Sequence, residues 1–323
     1  MRARSRLNPS RRRGFTWVEL LITLIAVAVM IAVLCPALLD GRRRGRPRMV
    51  SLNNIKNISL ATANYASVWD GMFPPLVDGT YGAPRNLLTT LDQPGLDRAI
   101  SAALSKEDKN IAVFVKVFAS PHDDFNFNQD RGFSYRFNAG WGDFRASRTD
   151  GKTIEIGTHD LDLDWDGDGE VTDEDRSAMQ ATGVFWRHSD HIDSLTIDAV
   201  GLGDGISQTL LLVENYHRSD WLSNQTLDLG FVVGREDLTI DFDRGMLAVN
   251  EFKDGPYRPN GIRPSSATHT PGPSSSHSGT VNVAFVDGRA SNVSEDIDPL
   301  VYLKLMTSRG SLFGQTPLDA NQF

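Results

Sequence analysis

Cysteine is almost absent. The single one, Cys35, lies in an apolar run, so no intramolecular disulfide and no thiolate metal cluster can form. The chain must therefore be held by its core. Positive charge is scarce where it would matter for nucleic acid. Six arginines crowd residues 1–14, and Arg42, Arg43, Arg44, Arg46 and Arg48 add five more. The net charge is nevertheless −8, so the remainder is distinctly acidic. Phosphate binding needs a clustered basic face, which excludes nucleic acid as the main partner. There is no Gly-x-Ser-x-Gly elbow, no internal repeat, and no convergent catalytic set. The expectation is a protein that is not an enzyme.

What is present begins with a long apolar run. Leu20 to Leu39 is almost wholly apolar; at about 1.5 Å per residue it would span about 30 Å of hydrocarbon. Pro36 would kink such a helix. Glu19 places one carboxylate at the head of the run, where a charge is costly and invites a functional reading. A secretory signal would have a shorter apolar core followed by Ala-x-Ala, which does not follow here. A plain signal anchor explains the length but not the Gly-Phe-Thr-x-x-Glu string before it.

Gly14, Phe15, Thr16, Glu19, Leu20 and Leu21 resemble the type IV prepilin signal. The resemblance implies cleavage by a prepilin peptidase between Gly14 and Phe15 and methylation of the new N-terminus. It also implies a role for Glu19 in pairing with the N-terminal ammonium of a neighbouring subunit. Trp17 departs from the usual Leu but stays apolar. Arginines flank both ends of the run, so charge alone leaves the orientation open. The resemblance implies a cytoplasmic N-terminus, with the second cluster facing anionic headgroups outside.

Residues 49–70 carry Leu52, Ile55, Ile58, Leu60, Ala63 and Val68 at mostly helical spacing. This predicts that the N-terminal helix continues into the exported part, until Pro74–Pro75 stop it. A glycine-rich turn followed by a buried strand is predicted over 204–215, and further strands within 222–234 and at 280–286. Asp287–Gly288 turns the last of these into a return strand, RASNVS. Residues 252–278, rich in Pro, Gly and Ser, read as a long loop. The predicted fold class is α+β: a long N-terminal pilin-like helix packed on a mainly antiparallel sheet.

A second resemblance covers residues 14 to about 310. NNIKNISLATANYASVWDGMFPP, Ser120–Pro121, GDGISQTLLLVEN, and His277 followed after nine residues by Asp287–Gly288 occur in that order. The chain resembles the large bacterial family of prepilin-type proteins with a His-x9-Asp-Gly motif in a domain of unknown function. That family implies no reaction. Its members often carry cysteines where this chain has Ser51 and Ser120, which implies loss of a disulfide pair. The expected organisation is a leader at 1–14, a membrane helix and basic flank at 15–48, and an exported domain at 49–323.

Several constellations need weighing. His277 and Asp287 could form a metal or hydrogen-bond site; the plainer reading is a loop-capping histidine and, with Gly288, a hairpin turn. Ser274–Ser276 beside His277 imitate a nucleophilic triad, but residues adjacent in sequence seldom make that geometry. Gly201-x-Gly203-x-Gly205 lacks the rest of a dinucleotide fingerprint. His188 and His191 with Asp190 and Asp193 read as an exposed polar loop rather than a metal site. The sharpest site is 164–175. Asp164, Asp166 and Asp168 occupy positions 1, 3 and 5 of a calcium loop, with Gly169 at the sharp turn. Glu170 would offer its carbonyl, Thr172 would act directly or through water, and Asp175 would close the loop. The string also resembles the calcium loop of dockerin modules. Asp175 in place of Glu and the lack of a second loop predict weak, structural Ca2+ binding, against the alternative of a solvated acidic turn.

These readings converge on a pilin-like or pseudopilin-like structural or surface-interaction protein. It would be single-pass in the cytoplasmic membrane, with its C-terminal domain in the periplasm or at the cell surface. Expected partners are the prepilin peptidase, membrane lipid and other pilin-like subunits. The alternative is a membrane-anchored exported binding module that never polymerises.

Overall fold

The computed structural model describes residues 16–79, 81–106, 111–142, 164–188 and 194–318, less the side chains of 33–47. It divides into two units, Met1–Arg46 and Pro47–Phe323.

In the first unit, helix α1 (Trp17–Val68) starts with a capping box. Thr16 Oγ1 accepts from the Glu19 amide at 3.3 Å, and the Glu19 carboxylate accepts from the Thr16 amide at 2.9 Å. Each partner satisfies an N–H that a helix start otherwise leaves open. Among the described residues no helix is long and apolar enough to cross a membrane. The span expected at 20–39 lies partly outside them, as do Gly14, Phe15 and the Pro36 side chain.

The second unit is mixed α and β with a mainly antiparallel sheet. In chain order it holds β1 (Val77–Asp78), β2 (Tyr81–Gly82), α2 (Ala83–Asn86), α3 (Pro94–Leu104) and β3 (Tyr135–Gly142). Then come α4 (Asp173–Ala181), α5 (Ile197–Leu202), β4 (Leu210–Glu214), α6 (Thr226–Leu229) and β5 (Gly230–Gly234). The last are β6 (Leu238–Ile240), β7 (Val249–Phe252), β8 (Thr280–Phe285), β9 (Ala290–Ser294) and α7 (Pro299–Met306). The main sheet runs β5-β3-β4-β8-β9, with only β3 and β5 parallel.

Both faces of this sheet are covered. Ile55, Ile58 and Ala61 of α1 pack with Tyr135, Phe137, Leu212, Val232 and Ala284. Met179 of α4 and Tyr302, Leu303 and Met306 of α7 pack with Leu210, Val213, Phe231, Val233, Val283 and Phe285. Burial on two faces explains why β4 reads LLLVE rather than alternating. In β3 the register shifts between Asn138 and Trp141. This bulge sends Trp141 to the opposite face from Tyr135 and Phe137, and Gly140 sits in it at φ +70° against Thr182 and Trp186, where a Cβ would collide.

Two local expectations need correction, and one strand was missed. Helix α1 stops at Val68, before the prolines: Asp70 and Gly71 turn left-handed and the Gly71 amide bonds back to Ala66 O at 2.8 Å. Residues 226–229 coil into α6, leaving only 230–234 as strand. The strand β3, next to the sheet's centre, was not foreseen, because Arg136, Asn138 and two glycines hide its apolar pattern.

Candidate functional site

A buried polar junction forms where α1, loop 120–126, β3, β4, loop 274–277 and β8 meet. Its hub is Glu214, the last residue of β4, fully buried. The Glu214 carboxylate accepts from Tyr216 OH at 2.9 Å, from Asn282 Nδ2 at 2.7 Å and from the Asn282 amide at 3.1 Å. Ser51 Oγ of α1 also donates to it. His277 Nε2 lies 3.4 Å from Glu214 Oε2 and 3.4 Å from Tyr216 OH. Burial beside this carboxylate pushes the Tyr135 and Tyr216 phenols well above their usual range, so both act as neutral donors or acceptors.

The His-x9-Asp-Gly motif therefore splits. His277 joins the junction, with its amide on Ser275 Oγ at 3.2 Å. Asp287 and Gly288 make the β8–β9 turn. The Arg289 amide donates to Asp287 Oδ1 at 2.9 Å, and Gly288 adopts φ +83°. The bonds that fix His277 and those that fix Asp287 have no partner in common.

Ser51 and Ser120, far apart in sequence, share one partner. Tyr216 OH lies 3.4 Å from Ser51 Oγ and 2.7 Å from Ser120 Oγ. The next residues hold loop 120–126 in place. Asp123 accepts from Ser134 Oγ and Asn126 Nδ2, both at 2.7 Å. Burial raises its carboxyl to about 6 despite those bonds.

The acidic loop is a second candidate. Oxygens of Asp164, Asp166 and Asp168 lie within 4.8 Å of one another, a spacing one cation could bridge. Asp164 accepts from the amides of Gly167, Asp168 and Gly169 at 2.7, 3.1 and 2.9 Å, which folds the loop around it. Gly167 and Gly169 take φ of +81° and +98°. Asp175 stands apart from this trio. It is the third residue of α4 and shares a capping box with Thr172, accepting from Thr172 N at 2.8 Å and Trp165 N at 3.0 Å. Burial opposes its ionisation, but bonds from Thr172, Trp165 and Asp166 outweigh it and hold the carboxyl below the usual range. The Glu170 amide donates to Asp168 at 2.8 Å. Trp165 is buried against Trp141 and ties the loop to the core. The donor set, three carboxylates and no soft ligand, suits a hard cation.

Two of the remaining candidates take structural roles. Ser274 Oγ donates to Ile262 O and Ser275 Oγ to Thr280 O, so neither is poised as a nucleophile. Asp204, between Gly203 and Gly205, accepts from Thr307 Oγ1, Gly310 N and Ser311 N, a structural role. His188 is exposed, while Asp190, His191 and Asp193 lie outside the described residues. An open groove of about 640 Å³ runs between Asn54, Asn57 and Asn64 of α1 and Leu91, Gln93 and Phe114. Sequence reasoning missed Glu214, Tyr216 and Asn282. The one available signal was a carboxylate ending an otherwise apolar buried strand.

The family model described as a protein of unknown function, DUF1559, matches residues 42–300. No curated protein and no solved structure matches the chain.

Proposed function

The chain belongs to the DUF1559 family, and from that premise we propose a pilin-like or pseudopilin-like structural or surface-interaction protein, processed by a prepilin peptidase. The observation that carries the reading is the string Gly14-Phe15-Thr16-x-x-Glu19 directly before an apolar run. The family match starts at residue 42 and leaves that string to stand by itself. On this reading the protein is held in the cytoplasmic membrane by residues 20–39, its domain is exported, and its partners are the peptidase, lipid and other pilin-like subunits. The domain is an adhesive or structural body rather than an enzyme. Its junction is buried, and its central carboxylate is spent on Tyr216, Asn282 and Ser51. Ca2+ would serve as a structural ion on Asp164, Asp166 and Asp168.

The groove beside α1 favours a second reading, an anchored binding module that does not polymerise. One comparison tests both. The membrane-fraction protein should begin at Phe15 by mass spectrometry, and shearing should release multimers from cells. A chain still starting at Met1 or Arg2 removes the prepilin reading. Correct processing without sheared multimers favours the anchored module.

A further inference from the structure

We propose that His122 and His277 form a two-histidine site for a borderline transition cation of the zinc class. The first observation is an orphan. His122 Nε2 is buried and has no hydrogen-bond partner. A buried ring nitrogen without a partner loses its hydration uncompensated and asks for a ligand. The second is geometry. The His122 and His277 rings lie with centroids 5.3 Å apart and planes at 79°. Zinc–nitrogen bonds of about 2.0–2.1 Å at a tetrahedral angle put two imidazole centroids about 5.2 Å apart.

The third observation fixes which nitrogen of His277 is available. Its Nε2 is turned to Glu214 Oε2 at 3.4 Å, with Tyr216 OH and Asn282 Nδ2 beside it. Asn282 Nδ2 and Tyr216 OH already donate to Glu214 Oε1. A bare Nε2 lone pair would face the lone pairs of Glu214 Oε2, so the carboxylate favours the tautomer protonated at Nε2, which leaves the lone pair on Nδ1. A carboxylate behind a histidine that binds metal through its other nitrogen raises ligand basicity and fixes the ring. Glu214 is thus a positioning residue, not a ligand. Among the described residues the one group of three or more His, Cys, Asp or Glu side chains close enough to hold a metal is the acidic loop, so this pair leaves the remaining coordination positions to water. Imidazole pairs favour zinc over calcium, which keeps the two candidate sites chemically distinct.

The test is calorimetric titration of the full-length, detergent-solubilised protein with Zn2+ at neutral pH against a constant background of excess Ca2+. One zinc per chain is expected, with affinity reduced about tenfold or more in His122→Ala and about 10–100-fold in Glu214→Gln. His122→Ala carries the decision if Glu214→Gln fails to fold, because His122 is half-buried near the start of loop 120–126. Zinc should also raise the melting temperature of the wild type but not of His122→Ala. Absence of zinc heat, or wild-type zinc binding by His122→Ala, overturns the site and leaves an N–H contact to the His277 ring face. Zinc binding abolished by Asp164→Ala and unaffected by His122→Ala overturns it equally.

Discussion

Glu214 is the residue on which the domain's polar interior turns. It is fully buried and receives four donors besides the nearby imidazole. Removing it strands Asn282, Tyr216 and Ser51 without their acceptor, so Glu214→Ala should cost about 3–5 kcal/mol in urea unfolding. Asp287→Ala, at an exposed turn, should cost about 1 kcal/mol or less. A similar loss at both positions would contradict the split of the motif. His217 supplies a pH dependence. It is buried, with its ring on Ser265 and Ile262 O. Burial and then the Arg136 charge lower its pKa from 6.5 to about 4. At this group the unfolded chain therefore binds the extra proton between those values, and the stability His217 contributes rises with pH through that window. It should be lost as pH falls from 6.5 toward about 4, by up to roughly 3 kcal/mol. Asp123, raised by burial to about 6, acts in the opposite sense over nearly the same window, so the difference in unfolding midpoints is the test: His217→Gln should gain stability relative to the wild type as pH falls from 6.5 toward about 4.

At the scale of elements, the acidic loop and α4 are one device with two halves. Thr172 and Asp175 cap the helix, while Asp164, Asp166 and Asp168 gather in the loop before it. The halves should separate by mutation. Without calcium, Asp175→Ala leaves the Trp165, Asp166 and Thr172 amides unmet and should cost about 1–3 kcal/mol. Asp164→Ala, on the more exposed side, should cost less in that condition. With millimolar calcium the order of interest changes. The wild type should gain melting temperature, and Asp164→Ala or Asp168→Ala should lose that gain. Differential scanning calorimetry with and without calcium reads both effects. An unchanged wild-type melting temperature would leave a solvated turn. The serine pair also belongs to this scale: Ser51 on α1 and Ser120 in its loop reach one phenol, so hydroxyls hold together what the family resemblance assigns to cysteines.

For the whole molecule the decisive question is what Glu19 does. It closes a capping box with Thr16, a role that needs a hydrogen-bonding side chain rather than a charge. Subunit pairing with an N-terminal ammonium needs the charge. Alanine would remove both, so Glu19→Gln is the informative change. It should leave processing at Gly14–Phe15 intact and abolish sheared multimers. Wild-type multimer yield from Glu19→Gln would reduce Glu19 to a helix cap.

The sequence by itself determined the parts that depend on neighbours along the chain. The periodicity of 49–70 placed the helix though not its end, alternation and Asp287–Gly288 placed the β8–β9 hairpin, and aspartates at alternate positions marked the acidic loop. These are governed by local dihedral preference and side-chain period, which sequence spacing records. Tertiary structure alone decided the rest. It turned β5 parallel to β3, shortened the 222–234 strand by a helical turn, and assigned Asp175 to a cap instead of the carboxylate trio. It also gathered Ser51, Ser120, His122, Glu214, Tyr216, His277 and Asn282 from five separate segments. No spacing rule links such residues. A buried carboxylate must find its donors wherever the packed chain brings them, and that set is fixed only when the sheet and helix close over it.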